Sequence, residues 1–116
     1  MNLKIRARGI TSPMDLRAHV TRTLNHALGR FGARIRDIDV QLTDVNGPKG
    51  GDDVECQIRA RLAPRGELVV QSRLADPVTA VAEATHRAER RLRRRLERIR
   101  DKRRQRRRAR RSNETA

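Results

Sequence analysis

The sequence predicts an α+β fold with two layers, in which a four-stranded mixed sheet carries both helices on one face. Four short segments alternate apolar and polar residues, which is typical of strands with one buried face. Two longer segments place apolar residues at helical spacing. The predicted order is therefore β-α-β-β-β-α. Because every segment has a single apolar side, two layers bury all of these sides and leave the polar sheet face in water.

The first strand and the first helix are predicted near the N-terminus. Residues 3–7 alternate strictly, and a break follows at residue 9. Ser12 suits the N-cap of a helix and Pro13 its first position. Apolar residues then recur at helical spacing as far as Phe31, so we expect the helix over about residues 13–31.

Three further strands are predicted in the middle of the chain. Alternation returns over residues 38–43, 54–62 and 67–73, and the glycine-rich residues 46–52 read as a flexible hairpin loop. The helix between the first two strands makes them parallel through a right-handed crossover. The short later connections make strands two to four antiparallel.

A second, longer helix is predicted to begin at Asp76 and Pro77, since they again place an N-cap residue before a proline at the first helical position. Its apolar stripe runs from Val78 to Ile99. We expect a single domain over residues 1–102. Residues 103–116 are expected to form a basic tail that is either disordered or a solvated extension of the helix.

The charge of the chain is concentrated in the second helix and the tail. The 116 residues hold 29 Lys and Arg against 14 Asp and Glu, a net charge of +15. Residues 87–111 alone contain 16 basic and 3 acidic residues. A field of this strength attracts a polyanion, and the abundant polyanion of the cytoplasm is RNA.

Several classes of function are excluded or disfavoured. No apolar run approaches the roughly 20 residues of a membrane span, and no acid–base pair, catalytic triad or metal-ligand cluster emerges, so we expect no enzyme, metal, cofactor or small-molecule substrate. His19 and His26 are too far apart to share a metal, and Cys56 falls on the inward side of a strand as a small hydrophobe. With one Phe and no Trp or Tyr, a base-stacking sheet platform is excluded, which leaves recognition of the RNA backbone by arginine.

Two sets of basic residues are candidate RNA contacts. The first lies on one face of the second helix, at relative positions i, i+3, i+4, i+7 and i+11: Arg87, Arg90, Arg91, Arg94 and Arg98. The second lies on the polar sheet face, where acidic neighbours make the surface mixed: Lys4, Arg6, Arg8, Arg59, Arg61 and Arg73.

The sequence resembles the ribosome hibernation promoting factor and ribosome-associated inhibitor family over about residues 1–100. The start has the form M-x-L-x-I, and residues 16–31 follow the pattern L-R-x-x-V…L…F. Residues 76–81 resemble the entry D-M-Y-A-A-I to the family's second helix, and residues 87–92 resemble K-L-x-R-Q-L.

The resemblance implies a cytoplasmic, non-enzymatic protein that binds rRNA of the small ribosomal subunit in the decoding channel, where mRNA and tRNA would lie. It would keep idle ribosomes intact and block initiation. Arg87, Arg90, Arg91 and Arg94 match basic rRNA-contacting positions of the family, and Arg22 on the first helix occupies a comparable one. The chain is the length of a short form, and we expect it to be a monomer off the ribosome.

Other classes of protein share the basic helix. A double-stranded RNA-binding or nucleoid-associated protein would use it on a duplex. A ribosome assembly factor would thread a basic tail into rRNA. A small enzyme acting on RNA is the least favoured alternative, because no catalytic group is evident.

Overall fold

A computed structural model describes residues 2–10, 13–45 and 53–115 of the chain. The predicted N-cap Ser12 and the predicted loop over residues 46–52 lie outside the described residues.

The described residues form four strands and two α-helices in the predicted order β-α-β-β-β-α. A short 3-10 segment, Gly29–Arg34, follows the first helix. The elements are β1 (Asn2–Arg8), α1 (Pro13–Leu28), β2 (Ile35–Asp44), β3 (Val54–Leu62), β4 (Glu67–Leu74) and α2 (Pro77–Thr115).

The sheet has the strand order β1-β2-β3-β4, with β1 parallel to β2 and the other pairs antiparallel, which confirms the predicted mixed sheet. The register aligns apolar residues in rows across the strands, and one row contains Ile5, Val40, Ile58 and Val70. Because side chains alternate along each strand, all such rows face the same side. Both helices cover that side.

The core lies between this sheet face and the two helices. Val20, Leu24 and Leu28 of α1 are fully buried, as is Val81 of α2, and Leu92 is 1% exposed. The predicted α2 stripe is longer than the buried one, since Val78 is 48% and Ile99 38% exposed.

The core also contains Ser72 and Cys56. The Ser72 hydroxyl of β4 donates a hydrogen bond of 2.5 Å to the Ala80 carbonyl, which ties the edge strand to the first turns of α2. Cys56 is buried on β3, as predicted, and burial raises the pKa of its thiol to about 12. A thiol with this pKa stays protonated and behaves as a small apolar side chain.

The first helix ends earlier than predicted, at Leu28 instead of about Phe31. Gly29 and Gly32 lie in the tighter 3-10 segment that follows, since glycine is a poor helix former. Phe31 still packs against the core, and the Arg30 guanidinium lies 4.7 Å from the centre of its ring.

The second helix begins at the predicted cap. The Asp76 carboxylate accepts a hydrogen bond of 2.9 Å from the Thr79 backbone N–H, a bond that lowers the pKa of Asp76. The helix then runs for 39 residues to Thr115. Residues 103–115 continue this helix. Every side chain from residue 97 to residue 112 is exposed, so this part of the helix has no core to pack against.

Candidate nucleic-acid interface

The arginines of α2 form two rows with different surroundings. The first row faces the edge strand β4: Arg87 donates to the Gln71 carbonyl at 2.5 Å, Arg91 to that of Val69 at 2.8 Å, and Arg95 to that of Glu67 at 3.2 Å. We call these three residues the edge row.

The edge row has a simple geometric basis. Four residues of α-helix advance about 6 Å, and two residues of strand advance about 6.6 Å, so every fourth side chain meets every second carbonyl. The row thereby satisfies main-chain acceptors at an edge that would otherwise be open to another strand. A guanidinium has five N–H donors, so each arginine keeps donors directed at solvent. The Arg87 side chain, which also pairs with Glu83 at 3.0 Å, remains 53% exposed.

The second row consists of Arg90, Arg94 and Arg98, which we call the outer row. All three are exposed, and within residues 2–10, 13–45 and 53–115 none has a hydrogen bond or ion pair. Nothing in the described structure neutralises these charges. Arg90 and Arg94 lie on the part of the helix that packs on the core through Leu92, so their backbone positions are defined before any ligand arrives. Arg98 follows one turn later, where the helix is exposed on all sides.

The two rows meet in a shallow groove beside β4. Its volume is about 330 Å³, and its basic lining comprises Arg91, Arg94, Arg95 and Arg98. The structure therefore brings three of the predicted helix residues together with Arg95, which sequence reasoning missed. The available signal was its spacing of four from Arg91.

Arg22 lies elsewhere, on the exposed side of α1. It lines a separate groove between α1 and α2 with His19, His26 and His86. This convergence of histidines was also missed, because His86 is distant in sequence. The groove is open, with a volume of about 580 Å³.

The polar sheet face is largely neutralised by ion pairs. Four of the six sheet residues predicted as additional contacts have an acidic partner. The nitrogen–oxygen distances are 2.6 Å for Arg6–Asp39, 2.8 Å for Arg59–Glu67, 3.9 Å for Arg61–Asp37 and 3.5 Å for Arg73–Asp53. Lys4 and Arg8 have no such partner among the described residues. Exposed pairs of this kind add little stability, but they reduce the attraction of this face for phosphate.

The part of α2 from residue 100 onward, which we call the extension, carries charge on all sides. Its basic residues are exposed over residues 100–111: Arg100, Lys102, Arg103, Arg104, Arg106, Arg107, Arg108, Arg110 and Arg111. Like charges three and four residues apart repel along a helix. A polyanion that lies against the extension relieves this repulsion.

The described residues offer neither a metal site nor a membrane span. Where side chains are described, no three His, Cys, Asp or Glu residues are grouped so that they could hold a metal ion. Across the same part of the chain, neither helix has an apolar stretch of the length that a bilayer requires.

Comparison with known proteins points to one family. Residues 3–100 match the family described as sigma 54 modulation protein / S30EA ribosomal protein. No curated protein sequence matches the chain.

Two solved structures share the fold. A ribosomal subunit interface protein from Coxiella burnetii is 14% identical, with a TM-score of 0.71 over 84% of this chain and 99% of that chain. The N-terminal domain of Protein Y from Thermus thermophilus is 22% identical, with a TM-score of 0.66 over 81% of this chain and 98% of that chain. At these identities the likeness concerns the fold.

Proposed function

Because the chain belongs to the sigma 54 modulation protein / S30EA ribosomal protein family, we propose that it is a non-enzymatic cytoplasmic factor that binds the ribosome. Two proteins of similar fold, a ribosomal subunit interface protein and Protein Y, favour the same assignment. The partner is rRNA of the small subunit in the decoding channel. Occupation of that channel excludes mRNA and tRNA, so the bound protein inhibits translation and holds idle ribosomes in reserve.

The observation that carries this proposal is the outer row. Arg90, Arg94 and Arg98 are exposed and unpaired within the described structure, on a helix fixed by Leu92 and the rest of the core. A guanidinium matches a phosphate through two parallel N–H···O bonds. Because the helix backbone is already ordered, docking costs less conformational entropy than it would for a flexible segment.

The edge row has a second part in the proposal. Arg87 and Arg91 hold the helix against β4 and direct their remaining donors outward. They therefore add to the same basic surface, which extends across the groove beside β4. Lys4 and Arg8 are secondary contacts, since their charges are not paired in the described structure.

The extension beyond residue 100 contributes attraction over a longer range. Its charges surround the helix and do not share one face. Such a segment raises the association rate of an oppositely charged partner and does not define one orientation on it. We expect the outer row to set the position on rRNA and the extension to accelerate arrival.

The protein is proposed to be a monomer before it binds. The edge row covers acceptors of β4, and the sheet face is polar and ion-paired. Neither surface offers the apolar patch of several hundred Å² that a stable dimer uses. Light scattering should give a monomer mass at all concentrations in dilute solution, and a constant dimer mass would contradict it.

Ribosome sedimentation combined with chemical footprinting tests the proposal. The protein should co-migrate with small subunits in low salt, protect rRNA in the decoding channel, and inhibit translation in vitro. Co-migration with free DNA or duplex RNA would instead favour a nucleoid-associated or duplex-binding protein. Protection confined to sites outside the channel on immature subunits would favour an assembly factor.

A further inference from the structure

The groove between α1 and α2 has a composition unlike the rest of the basic surface. It contains all three histidines of the chain: His19 and His26 come from α1, and His86 comes from α2. His86 and His26 are exposed, and His19 is half-buried. Each imidazole is a flat aromatic ring in a protein that otherwise has one Phe and no Tyr or Trp.

Small side chains from both helices also line the groove. Ala27 and Ala82 leave space between the two helices, and Thr23 directs its hydroxyl at the His19 carbonyl, with an oxygen–oxygen distance of 2.9 Å. Thr85 also lines the groove, and its buried hydroxyl has no hydrogen-bond partner in the described part of the chain. Besides the histidines and the charged residues, the lining is thus formed by small side chains, and beneath it lies one buried hydroxyl without a partner in the described residues.

The rim of the groove is charged in a way that favours a phosphate. Arg22 is exposed and has no partner among the described residues. The Glu89 carboxylate, which would repel a phosphate, is paired with Arg30 at 2.7 Å. An anion at this rim therefore meets one free cation and one neutralised carboxylate.

Other occupants fit less well. A metal ion is disfavoured because the described side chains contain no group of three ligands at suitable positions. An amphipathic peptide helix needs a groove lined by large apolar side chains, and apart from histidines and charged residues this groove is lined by Ala and Thr. A nucleotide combines a flat base with a phosphate, which are the two features that the groove matches. The volume of about 580 Å³ is within the range of small-ligand sites.

We propose that this groove holds one unstacked nucleotide of single-stranded RNA, with its base against an imidazole and its phosphate on Arg22. Histidine is one of the side chains on which RNA-binding proteins stack bases. The inference deepens the proposed function, since the nucleotide belongs to the RNA that the outer row contacts. It adds a base contact to a surface that otherwise recognises the backbone.

The test compares the full-length protein's affinity for an eight-nucleotide oligoadenylate with its affinity for an abasic ribose-phosphate oligomer of the same length. Both ligands carry the same charge, so their ratio isolates the contribution of the bases. Stacking of one base predicts a ratio of about 5 to 150. His86→Ala should reduce the ratio and leave abasic binding unchanged. His86→Phe, which retains a flat ring, should preserve most of it.

The inference and the proposed function fail differently in this experiment. Arg90→Gln/Arg94→Gln/Arg98→Gln should lower the affinity for both oligomers by the same factor and leave the ratio of the two affinities unchanged. A ratio near one in the unaltered protein, or a ratio that His19→Ala and His86→Ala do not change, overturns the nucleotide site. Salt-dependent binding of both oligomers would then still support the arginine surface. Unchanged thermal unfolding of the variants excludes loss of fold as the cause.

Discussion

The outer row allows a quantitative prediction, because its three residues can be removed without disturbing the fold. Arg90, Arg94 and Arg98 are exposed and contact no partner in the described structure. Replacement of all three by Gln retains helix propensity and length while removing three charges. Each exposed substitution should change the free energy of unfolding by less than about 0.5 kcal/mol.

The expected effect on RNA binding follows from counterion release. Each phosphate contact contributes about 0.7 to 0.9 to the slope of log K against log salt concentration. Loss of three contacts should therefore lower the slope by about 2 to 3. At 0.1 M salt the same relation gives a loss of affinity for small subunits of about 100-fold or more, provided that the salt-independent part of binding is unchanged.

A matched variant distinguishes local contact from net charge. Arg59→Gln/Arg61→Gln/Arg73→Gln also removes three positive charges, but from sheet residues that are paired with Glu67, Asp37 and Asp53. Affinity for small subunits is measured by filter binding or sedimentation at four or more salt concentrations. The sheet variant should retain most of the slope. Equal losses in both variants would refute the outer row as the contact surface, and the net charge alone would then explain binding.

Four further outcomes are expected. Arg91→Ala should lower the free energy of unfolding by about 1 kcal/mol or less in a denaturant titration, since the hydrogen bond of Arg91 to the β4 edge is solvent-accessible. A stabilised variant would contradict the role of the edge row in holding α2 against β4. Cys56 should resist thiol reagents at pH 8 until the protein is denatured, because burial raises its pKa to about 12, and rapid native labelling would show that the strand opens. Hydrogen bonds from Thr79 lower the pKa of Asp76 in the folded state, so the stabilisation by this cap should be present above the unfolded pKa and lost as the pH falls through the folded pKa. Asp76→Ala should therefore reduce the loss of thermal stability at acid pH. An unchanged loss in this variant would exclude the cap as its source. Deletion of residues 103–116 should slow association in stopped-flow measurements and leave the rRNA footprint in place. Loss of the footprint would instead show that the deleted residues position the protein on rRNA.

The local elements of the fold could be predicted because each is encoded by neighbouring residues. Alternation over residues 54–62 identifies β3, and Asp76 with Pro77 identifies the start of α2. Both signals depend on side-chain period or on a cap, which act within a few residues. The strand directions also followed, since a helical crossover and short turns admit few topologies.

The roles of individual arginines could not be predicted from spacing. Helical periodicity placed Arg87, Arg91 and Arg94 on one face but did not distinguish their surroundings. The distinction depends on where β4 lies beside α2, because its carbonyls meet Arg87 and Arg91 and not Arg94. That contact joins residues 16 to 22 positions apart and requires the folded edge strand.

The sequence by itself determined the strands, the helices and the excess of positive charge in the second helix, because periodicity, capping and composition are local properties. Tertiary structure alone decided which charges remain free. Strand register paired Arg61 with Asp37, and helix packing brought His86 into the same groove as His19. Such pairings depend on distances between residues far apart in the chain, and those distances exist only once the core has closed.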